Sequence, residues 1–317
     1  MVNVLLYYRS LKMPQEDGMK NMESINYNLL NRIFSRRMLD SVLENKFNEL
    51  NINWILDDMR MSHEVCFYEV IKKMYQILNT KYRNEYYYKN VLLNKKLLGR
   101  HSLNTTVALS EIPLHRSIAD FILINDRATV YEIKTDLDKL DRLSTQISNY
   151  YKVFNRVYVV ASESHEEKLQ SILKNTKVGI LVLTNRNTLS ERKKAIEDWS
   201  NLEHQSMFRV LRKPEYERII LDYYGELPKT QQVYYYRACF ELFSKIDLKE
   251  AYSYMIAQLK NRNIKCKEAF KKVPTEIKYL VYFSNFNLQK YERLNAFLNT
   301  RLGELNNVFS LSQRKAI

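Results

Sequence analysis

The stretch 117-SIADFILINDRATVYEIKT-135 decides how this chain reads. ADFILI (119–124) is an apolar run of strand length, Asn125–Asp126–Arg127 is turn-prone, and ATVYEIK (128–134) starts apolar and ends charged. Together they predict a β-hairpin. With a three-residue loop, Ile124 faces Ala128, and the same register sets Asp120 opposite Glu132. Side chains alternate along a strand, so Glu132 and Lys134 share a face. Two carboxylates and one ammonium then converge on one patch of sheet. A solvated strand end with an ordinary cross-strand pair is one account of this. Yet Asp120 opens an almost wholly apolar strand, and directly opposed carboxylates repel. A divalent cation removes that conflict, and Mg²⁺ binds through one or two carboxylates while keeping several waters.

Outward from the hairpin, the pattern is α/β. ALSEIPL (108–114) precedes it as a further strand. A helix is expected from about Leu137 to Phe154, opened by Thr135-x-x-Asp138 as an acidic form of the capping box. RVYVVA (156–161) and VGILVLT (178–184) are buried strands, and SHEEKLQSILKN (164–175) is a helix between them. Strands alternating with helices imply a sheet that is mixed, because the hairpin pair is antiparallel. On the central helix Gln146 and Tyr150 stand four apart and share a face, either as groups that reach toward phosphate or water at the strand ends or as a helix-surface amide and a half-buried tyrosine.

The flanks are helical. Leu29, Leu30, Ile33, Phe34, Leu39, Val42 and Leu43 recur at helical spacing within 23–60. Helical pattern continues from Val65 to Gly99, broken near Asn79–Thr80, with Gly99 as the expected stop. From Glu203 onward strands cease, and Pro214, Pro228 and Pro274 sit at expected helix starts. Three parts are expected: an N-terminal helical region (1–62), an α/β core (63–200) and a basic helical domain (201–317).

The hairpin with its surroundings resembles the PD-(D/E)XK nuclease superfamily. Asp120 in SIADFILI, Glu132 and Lys134 in VYEIKT, and Gln146 with Tyr150 in STQISNYY carry the resemblance, the last two as a QxxxY element. YRNEYYYKN, followed by LLNKKLLGRHSLNTT, is also similar to a family of largely uncharacterised bacterial proteins with this core. Ala119 stands where proline is usual, which removes no ligand. The resemblance spans about residues 65–195 and implies an α/β (α+β), mixed-sheet, restriction-endonuclease-like core. It implies metal-dependent hydrolysis of phosphodiester bonds. Asp120, Glu132 and the Ile133 carbonyl would hold Mg²⁺ or Mn²⁺, and Lys134 would position or help deprotonate water. Gln146 and Tyr150 would orient that water or grip a phosphate oxygen, and Glu85 would add an acidic group from the first core helix, with Glu69 as runner-up.

Composition is consistent with a polyanionic partner. The 317 residues carry 50 Lys+Arg against 36 Asp+Glu, a net charge of +14. Residues 201–317 hold 20 of the bases and 12 of the acids. Within 259–278 lie Lys260, Arg262, Lys265, Lys267, Lys271, Lys272 and Lys278, a candidate phosphate-tracking stripe. Tyr223, Tyr224, Tyr234, Tyr235 and Tyr236 are candidates for stacking on bases, or else half-buried packing groups. Arg36 and Arg37 are a second candidate patch, or else the outer face of the N-terminal helix. Five glycines and five prolines are too few for a collagen-like or turn-dense all-β chain. Cys66, Cys239 and Cys266 form no CxxC, and the five histidines show no HExxH or HxxxH spacing, so a disulfide framework and zinc-hydrolase chemistry lack support. The apolar run in MVNVLLYYR is too short for a signal peptide, and no run approaches a membrane span, so a soluble cytoplasmic protein without a membrane partner is expected. DNA is favoured over RNA as substrate, with defence against foreign DNA as a setting. Oligomeric state is open, a homodimer included. The competing expectation is a nucleic-acid-binding or partner-binding helical protein whose nuclease-like core is silent.

Overall fold

The computed structural model describes residues 27–44 and 61–304. It is a mixed α/β chain built on one six-stranded sheet in the order β1-β2-β3-β4-β5-β6. The strands are β1 (Val107–Leu114), β2 (Ser117–Ile124), β3 (Ala128–Lys134), β4 (Val157–Ser162), β5 (Gly179–Leu183) and β6 (Leu189–Lys193). β1-β2-β3 form an antiparallel meander, β3-β4 and β4-β5 are parallel, and β6 closes the edge antiparallel. The helices before the sheet are α1 (Tyr27–Ile33), α2 (Arg36–Leu43), α3 (Phe67–Thr80) and α4 (Glu85–Leu92). α4 runs on into a π-helical stretch, Leu93–Leu98. α5 (Leu143–Tyr151) joins β3 to β4, and α6 (Glu166–Leu173) joins β4 to β5. After the sheet come α7 (His204–Val210), α8 (Lys213–Tyr224), α9 (Gln232–Phe243), α10 (Leu248–Lys260), α11 (Lys267–Lys271), α12 (Lys278–Phe283) and α13 (Leu288–Asn299).

Alternation along the strands divides the interior into two cores. Ile122, Ile124, Val130, Val159 and Val182 point to one, with α5, α6 and helices α7 to α10. Phe121, Leu123, Tyr131, Ile133, Val160 and Leu181 point to the other, with α1 to α4 and the segment from Ile264 to Leu302. The expected boundary at 200/201 marks a change from strands to helices, but both cores cross it, and the one at 62/63 has helices on either side and is spanned by one core. The chain after residue 200 covers both faces of the sheet rather than standing apart from it.

Three sequence expectations change. The helix after β3 starts at Leu143, not Leu137. Asp138 Oδ2 accepts both the Thr135 N–H and its hydroxyl, which closes a local turn, and Leu137 is 74% exposed. Gly99 does not stop its helix: its φ is −85°, and the His101 N–H still bonds the Leu97 carbonyl. β6 reads LSERK, too charged to announce a strand, and charge is how an edge strand resists pairing with a further chain.

Gly179 marks a close approach at the start of β5. A Cβ there would lie 2.3 Å from the Tyr158 ring and 2.7 Å from the Ala195 nitrogen. One wall is backbone and cannot swing aside. Gly179→Ala is expected to cost about 1–3 kcal/mol, read from a urea midpoint at unchanged slope. A midpoint equal to the parent's would contradict this contact.

Candidate active site

The hairpin register holds at Ile124–Ala128, Ile122–Val130 and Phe121–Tyr131. Pairing then stops one step before Asp120 and Glu132. The cause lies in β1, where Glu111 adopts φ +55°. Ser110 and its partner Phe121 look into one core, whereas Ile112 and its partner Ala119 look into the other. β2 therefore changes face between 119 and 121, and Asp120 sits at the changeover. Its Oδ2 accepts the Ile133 N–H at 2.8 Å, replacing a ladder bond with a side-chain bond. In a strand, a residue's N–H and C=O point to the same side. The Ile133 carbonyl thus faces the gap where the ladder ends.

Glu132 is almost wholly buried, with its side chain 2% exposed. Three donors hold it. Lys134 Nζ stands 2.9 Å from Oε1, and Gln146 Nε2 donates to the same oxygen at 2.5 Å. The Tyr150 hydroxyl shares its proton between Glu132 Oε2 and the Ile118 carbonyl. Lys134 Nζ also donates to Gln146 Oε1 at 2.9 Å. So Gln146 is fixed at both ends of its amide. The one-turn spacing of Gln146 and Tyr150 on α5 lets both reach Glu132 together. Tyr150 is fully buried, and burial, followed by the charge of Glu132, raises its phenol above the ordinary range. It supports Glu132 from the buried side of the site.

Glu85 opens α4, after an Asn84 cap whose side chain accepts the Tyr87 N–H. Its Oε1 pairs with Lys89 Nζ at 2.6 Å, and Lys89 also reaches Glu111 Oε1 at 3.1 Å. Lys89 is buried under the Tyr279 ring, 5.8 Å from its centroid. Burial opposes its charge, but Tyr279 and Glu85 outweigh that and hold the ammonium above the usual lysine range. Asp120 is pushed the other way from a normal carboxylate. Burial first, then the charges of Glu132 and Glu85, raise it well above the ordinary range, against smaller relief from Ile133 and Lys89.

The structure therefore brings Asp120, Glu132, Ile133, Lys134, Gln146 and Tyr150 together and sets Glu85 within electrostatic reach. Glu69 instead pairs with Lys72 at 3.7 Å, both half-exposed. Sequence reasoning missed Lys89 and Glu111. Lys89 had a signal, because Glu85 and Lys89 are an i,i+4 pair inside YRNEYYYKN. Glu111 had none, since its place follows from a left-handed backbone that ALSEIPL does not announce.

The donor set fits a hard cation with few protein ligands. Asp120 keeps its second oxygen, Ile133 offers a carbonyl, and Glu132 Oε2 retains a lone pair beside Tyr150. Among the described residues no group of three or more His, Cys, Asp and Glu side chains gathers as a metal cage. Mg²⁺ needs none, as water completes its shell.

The basic stripe is not continuous. Arg262 is committed to Glu215, at 2.6 and 2.5 Å, and to the Val210 carbonyl, with its side chain 11% exposed. That corrects its reading as a phosphate contact. Lys260 lies 3.9 Å from Asp126 in the β2–β3 loop, at the end of the hairpin away from Lys134. Lys267 bonds Asn104, also at that end, and Lys271 pairs with Glu268 at 2.6 Å. Lys265 and Lys272 are exposed. Arg36 pairs with Asp40. Tyr223, Tyr224, Tyr234 and Tyr236 are between 37% and 58% exposed, while Tyr235 donates to Glu217. The three cysteines are free, and among the described residues no helix is long and apolar enough to cross a membrane.

A family model described as bacteriophage P4 protein cII matches residues 79–279. No curated protein and no solved structure matches the chain. The matched span runs from the end of α3 into α12 and contains the whole sheet, with Glu85, Asp120, Glu132, Lys134, Gln146 and Tyr150. It covers well over half of the sequence, and the chain belongs to the bacteriophage P4 protein cII family.

Proposed function

We propose that this phage-family protein is a metal-dependent nuclease that hydrolyses phosphodiester bonds, in DNA before RNA. One observation carries the reading. Asp120, at a break in the β2–β3 ladder, meets Glu132, Lys134 and Gln146 where β3 ends, and Asp120 is a buried carboxylate beside like charges. A stable fold that needed only a salt bridge there has no use for the second and third acids. Asp120, Glu132 and the Ile133 carbonyl would hold Mg²⁺ or Mn²⁺, with Glu85 in reserve. Such an ion supplies Lewis-acid stabilisation of phosphate charge and a more acidic bound water.

The chain's own groups divide the remaining work. Lys134 is salt-bridged to Glu132 and donates to Gln146, so its nitrogen acts as a donor. It would steady negative charge on the reacting phosphate rather than withdraw a proton. Gln146 holds Lys134 and Glu132 at fixed separation and is a positioning residue. Tyr150 sets Glu132 from below. Preorganised donors of this kind need no rearrangement as charge develops.

A second reading has its own support. Glu132 Oε1 already accepts two hydrogen bonds and Oε2 one, which is the satisfied state of a structural carboxylate. A silent core that binds nucleic acid would look the same. Incubation of the full chain with plasmid and with linear single-stranded DNA separates the two. The nuclease reading expects cleavage with Mg²⁺ or Mn²⁺ and none in EDTA. Binding without metal-dependent cleavage would overturn it.

A further inference from the structure

Away from the carboxylate site, a cavity of about 420 Å³ opens between two parts of the chain. One wall is the end of the α4 helical run with the loop Ser102–Asn104, and the other is α11 with Lys278. Leu98, Leu103 and Phe270 supply an apolar floor, and Lys267, Lys271 and Lys278 supply the charge. Glu268 compensates Lys271. The other two lysines lack such a partner. Lys267 Nζ donates to the neutral Asn104 Oδ1 at 3.0 Å. Lys278 lies 5.9 Å from the Phe270 ring centroid, and burial lowers its pKa against a smaller opposing pull from the charge of Glu276. Among the described residues no carboxylate stands within ion-pair distance of either.

We propose that this cavity binds a phosphate monoester. Its volume lies in the range of roughly 300–1,000 Å³ typical of small-ligand pockets. Two ammonium groups without an ion-pair partner favour a multiply charged anion, and the Ser102 hydroxyl and Asn104 amide can share its oxygens. Leu98 fits beneath an organic group bearing the phosphate, with the buried Phe270 behind it. The place is separate from the candidate active site. Asn104 precedes β1, whose Val107 pairs with Ile124 at the loop end of the hairpin. Lys134 is at the far end of β3, and a seven-residue strand is roughly 20 Å long. The phosphate can come from a free nucleotide or from the end of a nucleic acid strand, and the chemistry is shared.

The test uses the full chain in EDTA, so it does not depend on cleavage. A fluorescent 12-mer carrying a 5′-phosphate is compared with its 5′-hydroxyl twin by anisotropy, and AMP with adenosine by calorimetry. In at least one pair the phosphorylated member is expected to bind about tenfold tighter, the effect of one or two charge-assisted bonds. Preference in the AMP pair alone identifies a nucleotide site, and preference in the oligonucleotide pair alone identifies strand-end recognition. The Lys267→Met/Lys278→Met double variant should lose the preference. Asn104→Asp, which leaves the fold's shape intact and neutralises Lys267, should weaken it in the same direction. Equal binding within both pairs overturns the proposal, as does a preference that survives both variants.

Discussion

Asp120→Asn is expected to abolish metal-dependent cleavage, by about a thousandfold or more, while the metal-free protein melts no lower than its parent. The two halves of this result come from the same geometry. Asparagine keeps an oxygen that can accept the Ile133 N–H, so the break in the ladder stays closed. It also removes a negative charge that burial, Glu132 and Glu85 disfavour. On the proposed function, a carboxylate kept against that penalty serves to hold the cation. Heating in EDTA and a plasmid-nicking assay with Mg²⁺ measure both halves. A variant that cuts as well as the parent would sink the nuclease assignment. A variant that loses activity together with much of its melting temperature would return Asp120 to a structural role.

Much of this site was legible because β-hairpins obey arithmetic. The turn at 125–127 fixes Ile124 on Ala128, and period-two alternation fixes Glu132 and Lys134 on one face. The i,i+4 step on α5 fixes Gln146 beside Tyr150 whatever the helix's first residue. That is why misplacing the helix start from Leu143 to Leu137 did no harm to the site. What stayed hidden depends on departures from regular geometry or on contacts distant in sequence. The face change at Asp120 needs the left-handed Glu111, and nothing in a string of residue types reports a φ of +55° in a non-glycine. The stripe in 259–278 is interrupted for a different reason. Charge in a sequence window says nothing of where each side chain finds a partner. Arg262 finds Glu215, 47 residues away, and becomes part of the packing between α8 and the end of α10.

Lys134 and Glu132 should be strongly coupled in stability. Their side chains are 9% and 2% exposed, 2.9 Å apart, and tied to Gln146 and Tyr150. Removing one member of a buried pair strands the other, which typically costs about 3–5 kcal/mol. Lys134→Met is therefore expected to destabilise by that order, since Glu132 keeps its charge with only Gln146 and Tyr150 to meet it. Glu132→Gln should also be costly, because Lys134 loses its ion-pair partner at 2.9 Å and the Tyr150 hydroxyl loses its charged acceptor. The double variant removes both charges and keeps an amide for Gln146 and Tyr150 to bond. It should recover most of the loss, because neutralising a buried pair together is often close to neutral. Activity should follow no such cycle. All three variants are expected to be inactive, because on the proposed mechanism the carboxylate holds the ion and the ammonium steadies the phosphate. Urea titrations of the four proteins give the coupling energy, and the cleavage assay gives the other reading. Additive stability losses would mean the pair is wetter than its burial implies. Cleavage restored in the double variant would mean that these two charges serve only the fold.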